Sequence, residues 1–246
     1  MIPLLPERIQ TLMQKLSIII PAYNEAKTIR KIVESIFAVG FPIDYEIIIV
    51  DDYSRDRTYR IAKILNDKDF KHRILLLRND QNRGKGYCIR RGMETATGDI
   101  VMVQDADFEY APSEIPALLR PILDGKTSVV YGSRFLATRK PEGMALPNWA
   151  ANIFLTGLTN ILYGARLTDM ETCYKVIKRE VAAQLQLKTE RFDFEPEITA
   201  KLLKKKHKII ELPISYHGRS ASEGKKIKAR DFFIALKVLF KNRFYA

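Results

Sequence analysis

In residues 16–52, LSIIIPAYNEAKTIRKIVESIFAVGFPIDYEIIIVDD, two short apolar runs enclose a stretch of a different period. LSIIIPAYN (16–24) and YEIIIVDD (45–52) are rich in Ile and Val, while Ile29, Ile32, Val33, Ile36 and Phe37 recur at helical spacing up to Gly40. Runs that stay apolar instead of alternating with polar residues are buried on both faces, the condition of strands in a parallel sheet covered by helices. The segment therefore predicts strand, crossover helix and parallel strand.

The same alternation continues outward. SRDRTYRIAKILND (54–67) predicts a second helix, HRILLLRN (72–79) a strand, GKGYCIRRGMETA (84–96) a helix, DIVMVQDAD (99–107) a strand, SEIPALLRPIL (113–123) a helix and TSVVYGSRF (127–135) a strand. The fold class is α/β with a mostly parallel central sheet flanked by helices. Past Thr138 the pattern changes. KPEGMALPNW is turn-rich, ALPNWAANIFLTGLTNILYGARL predicts one or two apolar helices, TCYKVIKREVAAQL a strand and a helix, FEPEITAKLLKKK a helix and HKIIELPISYHGR a strand. ARDFFIALKVLFKNRFYA predicts a basic amphipathic helix, and no internal repeat is present.

The chain has 246 residues and a net charge of +12, and 46% of it is hydrophobic. That length supports one large domain with its own core, and the composition excludes a disordered or fibrous chain. The charge is uneven: Lys201–Ala246 holds thirteen basic and three acidic residues, a net +10, which leaves +2 for the first 200. Two cysteines, Cys88 and Cys173, make neither a disulfide framework nor a metal cluster, as expected of a reducing cytoplasmic setting. No secretory signal or membrane span is expected, so contact with a membrane would be peripheral.

In open α/β sheets ligands bind beyond the carboxyl ends of the strands. Here those ends are PAYNE (21–25), DDYS (51–54), RNDQNRGKG (78–86), QDADFEY (104–110) and GSRF (132–135), all polar. Between Gly92 and Leu119 there is no Lys or Arg, yet Glu94, Asp99, Asp105, Asp107, Glu109 and Glu114 fall there. On an extended strand end Asp105 and Asp107 leave the same side, with Glu109 two further on. Three converging carboxylates repel one another unless a hard cation sits among them, and Mg²⁺ or Mn²⁺ suits oxygen ligands plus substrate phosphates. An ordinary solvated acidic turn is the alternative. Neither a GxGxxG nor a GxxxxGK[ST] motif is present, so phosphates need another binding device. Asn24 and Glu25 also read as an N-cap and first-turn acid of the first helix.

Taken in order, IIIPAYNEAKTIRKIVESI, EIIIVDDYSRDRT, NRGKGYCIRRGMETATGDIVMVQDADFEY and VVYGSRF resemble the nucleotide-sugar domain of the family 2 glycosyltransferases, which have the GT-A fold. Within that family the chain is most similar to dolichol-phosphate mannose synthases and their bacterial polyprenyl-phosphate relatives, over about 15–235. The resemblance implies a single catalytic domain, with a nucleotide-sugar half at 15–138, an acceptor half at 139–229 and the amphipathic helix at 230–246. It implies that Pro21, Ala22, Tyr23, Glu25 and Asp52 line the base and ribose pocket, that Arg83 and Lys85 lie beside the nucleotide, and that Asp105, Ala106 and Asp107 form the metal-binding DxD. Glu109 stands where a Gln is common and adds a third metal ligand. Arg134, with Arg219, Lys225 and Lys226 of ISYHGRSASEGKKIK, resembles the family's basic site for the acceptor phosphate. TDMETCYKV resembles the DxxSGFK segment, with Cys173 where Gly is usual.

The implied activity is inverting, metal-dependent transfer of a sugar from GDP-mannose or a UDP-sugar to a dolichyl or undecaprenyl phosphate. An alcohol acceptor would need a general base, for which Asp169 and Glu171 are candidates. A phosphate acceptor is already anionic, so Arg134, Arg219 and Lys225 can position it without one, and Asp169 is then a structural or acceptor-positioning acid. In the last helix Phe232, Phe233, Leu236, Leu239 and Phe240 give an apolar stripe, with Arg230, Lys237, Lys241 and Arg243 beside it. That pattern fits a helix lying on an anionic membrane, or one docked on the core with a solvated basic face. Two other readings are a GT-A transferase with a soluble saccharide or protein acceptor, and a nucleic-acid-binding protein on the strength of pI ≈ 9.6. The second lacks any nucleic-acid motif and leaves the acidic stretch unexplained, so no nucleic-acid partner is expected.

Overall fold

The computed structural model describes residues 14–68, 73–191, 193–218 and 229–245. Its centre is a seven-stranded sheet in the order β3-β2-β1-β4-β6-β5-β7. The strands are β1 (Lys15–Ala22), β2 (Asp44–Asp51), β3 (Ile74–Arg78), β4 (Ile100–Val103), β5 (Val129–Ser133), β6 (Lys175–Lys178) and β7 (Ile209–Pro213). The helices are α1 (Ile29–Phe37), α2 (Thr58–Asp67), α3 (Lys85–Thr95), α4 (Ile115–Leu123), α5 (Leu146–Tyr163), α6 (Arg179–Ala183), α7 (Phe194–Lys204) and α8 (Ala229–Phe244). A 3₁₀ turn at Pro112–Glu114 leads into α4.

The strands β3, β2, β1 and β4 are parallel, as the continuous Ile and Val runs predict; Ile18 pairs with Ile47 and Met102, and Ala22 with Asp51. The strand β6 runs antiparallel to both β4 and β5, which turns β5 and its parallel neighbour β7 the same way as β4. The carboxyl ends of β1, β2, β4 and β5 therefore meet at one edge. In β1 the residues Leu16–Ile20 are fully buried, and α1 covers the sheet with Ile29, Ile32, Val33 and Ile36. Each such aliphatic side chain contributes about 1.5–3 kcal/mol by leaving water.

The first helix does not begin as the sequence suggested. Asn24 is not its N-cap: Thr28 holds that position without a side-chain cap bond. Asn24 has a left-handed backbone with φ 55°, donates its N–H to Ser54 Oγ (3.0 Å) and accepts Arg55 N–H on Oδ1 (2.9 Å). It joins the loop after β1 to the loop after β2.

The apolar segment after residue 145 forms one helix, α5, with Pro147 in its first turn and Gly164 in the left-handed conformation at its end. On it rests α8, through a second apolar cluster of Leu155, Met170, Ala200, Ala235 and Leu239. Tyr163 OH donates to Leu239 O (2.8 Å) and Arg243 Nε to Leu162 O (2.8 Å). The predicted apolar stripe of α8 is thus divided: Leu239 docks on the fold, while Phe233 and Phe240 stay exposed, as does Phe244 beyond the stripe.

Candidate active site

At the shared edge lies a cavity of about 690 Å³. Pro21 and Ala22 line it from the end of β1, Tyr23 and Glu25 from the loop that follows, Asp52 from just after β2, Lys85 from α3, Asp105, Ala106, Asp107 and Glu109 from the segment after β4, and Arg134 from just after β5. Arg83 is turned aside, paired with Asp80 at 3.4 Å and stacked over Tyr87. Asp169 lies behind Arg134, fully buried. Arg219, Lys225 and Lys226 fall outside the described residues.

Asp52 organises one side of the cavity. Its Oδ1 accepts Asn79 Nδ2–H (2.7 Å) and Arg83 N–H (2.8 Å), and its Oδ2 accepts Gly84 N–H (2.7 Å). With both oxygens so engaged, Asp52 holds the turn that presents Lys85. Gly84 has φ 98°, and a Cβ there would stand 2.4 Å from Glu190 O, so only glycine fits. Gly86 N–H and Tyr87 N–H then donate to the carbonyls of Arg191 (3.1 Å) and Glu190 (3.0 Å). These first N–H groups of α3 are spent inside the protein and do not cradle a phosphate as in a P-loop.

Lys85 Nζ bridges Asp105 Oδ2 and Glu195 Oε1, each at 3.0 Å, and reaches Cys173 Sγ at 3.7 Å. Burial works against its charge, but the Asp105 carboxylate and its neighbours outweigh it and hold the pKa well above the usual lysine value. Burial also pushes the Cys173 thiol up, so it stays neutral. Glu195 and Glu197 were not singled out from sequence, because acids in FEPEITAKLL read as the solvated face of a helix. They are 6% and 3% exposed. Glu197 accepts the N–H groups of Lys188 and Thr189 and the Thr189 hydroxyl, fixing the 188–191 segment on which α3 rests.

The acidic segment differs from the extended strand end expected of it. β4 stops at Val103, Ala106 and Asp107 form a turn, and Phe108 is left-handed at φ 62°. Asp107 Oδ1 accepts Glu109 N–H (3.1 Å), and Glu109 Oε2 accepts the Tyr216 hydroxyl (3.0 Å). Among the described residues no three His, Cys, Asp or Glu side chains gather as a metal group, so Asp105, Asp107 and Glu109 do not assemble a three-carboxylate cage. A cation here would draw ligands from substrate as well.

On the other side Arg134 is 6% exposed. Its Nε donates to Asp169 Oδ2 and its Nη2 to Asp169 Oδ1, both at 2.7 Å, with a second Nη2 bond to Asn152 Oδ1 (2.9 Å). Burial again opposes the charge, and Asp169 more than compensates. Glu211 in turn accepts the backbone N–H groups of Thr168 (2.8 Å) and Asp169 (3.0 Å). The guanidinium is fixed on one edge, and among the described residues its Nη1 has no hydrogen-bond partner.

Residues 17–185 match the sequence profile of Glycosyl transferase family 2. The chain belongs to this family. Its GT-A fold and its glycosyltransferase class follow the expectation from the motifs. A dolichol-phosphate mannosyltransferase of Pyrococcus furiosus is 29% identical over 235 residues, 92% of this chain but 63% of that protein, so the chain spans less than two thirds of this relative. A UDP-N-acetylglucosamine–dolichyl-phosphate N-acetylglucosaminyltransferase of Methanococcus voltae is 30% identical over 212 residues, covering 80% of this chain and 83% of that one. Among solved structures, glucosyl-3-phosphoglycerate synthase of Mycobacterium tuberculosis, in complex with Mn²⁺, UDP and phosphoglyceric acid, superposes with a TM-score of 0.73. It is 18% identical and covers 98% of this chain and 82% of that one, a likeness of fold.

Proposed function

We propose that this family 2 glycosyltransferase moves a sugar from a GDP- or UDP-sugar to a polyprenyl phosphate, with inversion. The observation that carries the reading is Arg134, a buried cation aligned by Asp169 in the same cavity as Asp105 and Asp107. The names of the two dolichyl-phosphate relatives support the acceptor class. A phosphate monoester carries its own negative charge, so an arginine whose guanidinium is fixed on one edge can position its oxygen against the anomeric carbon without removing a proton. The new bond forms from that oxygen to C1 as the C1–O bond to the diphosphate breaks on the opposite face, and the nucleoside diphosphate leaves. Asp169, spent on Arg134, is a positioning acid.

Asp105 and Asp107 are the residues that would hold Mg²⁺ or Mn²⁺, since both are hard oxygen donors lining the cavity. When bound, such a cation neutralises charge on the departing diphosphate. Lys85 serves the same charge from the protein side.

A lipid acceptor requires approach to a membrane. No helix of the described residues is long and apolar enough to cross one. On α8 Phe233, Phe240 and Phe244 are exposed together with Lys237, Lys241 and Arg243, which gives the helix an apolar and cationic outer surface; Phe154 and Ile161 of α5 are exposed as well. We assign the α8 surface to peripheral contact with the anionic cytoplasmic face of a membrane.

The test is transfer from a panel of GDP- and UDP-sugars to undecaprenyl and dolichyl phosphate in detergent, with Mn²⁺, Mg²⁺ or EDTA. Product with lipid phosphate, lost in EDTA and in Arg134→Ala, is expected. Turnover confined to soluble saccharides or proteins would replace the acceptor assignment.

A further inference from the structure

Glu171 stands apart from the other acids of the cavity. It lies two residues after Asp169, lines the same space as Asp105 and Arg134, and its Oε1 is buried without a hydrogen-bond partner among the described residues. Buried polar atoms are almost always paired, so an orphan on a side chain that lines a cavity points to a group that arrives with the ligand.

The charged groups around Glu171 are Glu195 from α7, Lys175 from β6, Arg134 after β5 and Asp169 on its own segment. Neither cation satisfies it. Lys175 Nζ donates to the carbonyls of Met170 and Thr172 and sits over the Tyr131 ring, and Arg134 turns Nε and Nη2 to Asp169 and Asn152 and makes no bond to Glu171. Burial and the Glu195 charge push the carboxyl up to about 7.

These neighbours also locate Glu171 relative to the substrates. Glu195 shares Lys85 with Asp105, and Arg134 pairs with Asp169; in the proposed function the first group serves the diphosphate and the second the acceptor anion. A group flanked by both lies where the transferred sugar must lie. Phosphate is a poor partner for a carboxyl among other carboxyls, while a sugar hydroxyl is a neutral O–H donor that fits an unpaired acceptor oxygen.

We propose that Glu171 accepts a hydrogen bond from a hydroxyl of the transferred sugar and is a specificity-determining residue for the donor. This rests on the donor-site reading above. Calorimetric titration of the full chain with Mn²⁺ and UDP, GDP, UDP-glucose, UDP-N-acetylglucosamine or GDP-mannose tests it without turnover. The wild-type protein should bind one nucleotide sugar about tenfold more tightly than the matching nucleotide, the scale of one hydrogen bond to a charged group. Glu171→Ala should erase that preference while leaving nucleotide affinity unchanged, and Glu171→Gln, which keeps an acceptor oxygen, should retain part of it. A preference that survives Glu171→Ala, a wild-type protein with no preference, or equal loss of nucleotide and nucleotide-sugar affinity would each overturn the assignment. Failure of the wild-type protein to bind any nucleotide would instead remove the donor-site reading beneath it.

Discussion

Arg134 and Asp169 form a two-point ion pair, Nε to Oδ2 and Nη2 to Oδ1, with both side chains removed from water. Removing one partner of such a pair strands the other charge. Asp169→Ala is expected to destabilise the fold by about 3–5 kcal/mol, measured by urea unfolding. Arg134→Lys keeps the charge but loses the fork, so it should lower transfer to lipid phosphate with little effect on nucleotide binding. A fully active Arg134→Lys enzyme would show that Arg134 does not grip the acceptor through its planar geometry.

Asp107 lies on a turn whose Glu109 N–H it accepts, so Asp107→Ala should cost only the order of one such bond, about 1 kcal/mol, and leave the cooperative unfolding transition in place. It should also abolish turnover at every Mn²⁺ concentration. Undiminished activity would place the cation elsewhere.

Stability should fall in acid through Glu46. Burial alone would raise its pKa, but bonds from Lys15, Ser17 and Thr97 outweigh it and bring it down to about 2 from 4.5. Because the folded value is the lower, the contribution, on the order of 3 kcal/mol, is complete above the unfolded pKa and is lost as the pH drops from about 4.5 toward 2. Glu46→Gln should be less stable than the wild type at pH 7 and should flatten this acid limb in urea titrations.

Replacing Phe233 and Phe240 together by Ser should weaken binding to vesicles containing anionic lipid by about tenfold or more, since each buries apolar area at an interface. Both side chains are well exposed, at 68% and 43%, so the unfolding midpoint should not move. Removing the whole helix is a poorer test, because Leu239 and Ala235 pack on α5 and α7. Unchanged vesicle binding in the double variant would confine α8 to its structural role.

The parallel half of the sheet was legible to within a few residues because Ile18–Ile20, Ile47–Val50 and Val101–Val103 are buried on both faces and leave no polar alternation to misread. The positions of most site residues followed from those strand ends. Their geometry did not. A strand-end rule places Asp105 and Asp107 on one side of an extended chain, whereas Phe108 adopts φ > 0 and closes a turn. Asn24 has the chemistry of a cap, but a contact with Arg55, thirty-one residues away, claims its side chain. Glu195 and Glu197 were illegible, because Glu195 is claimed by Lys85, 110 residues earlier, and Glu197 by the backbone of Lys188 and Thr189, contacts that no helical periodicity displays.

The hydrogen bonds from Gly86 and Tyr87 to the carbonyls of Arg191 and Glu190 carry a consequence for recombination. A crossover near residue 138 that exchanges the front of the chain with that of a homologue would separate the platform beneath Lys85 from the helix standing on it. Chimaeras built to trade sugar-donor preference should therefore transplant 171–197, which carries both Glu171 and this platform, together with 15–138.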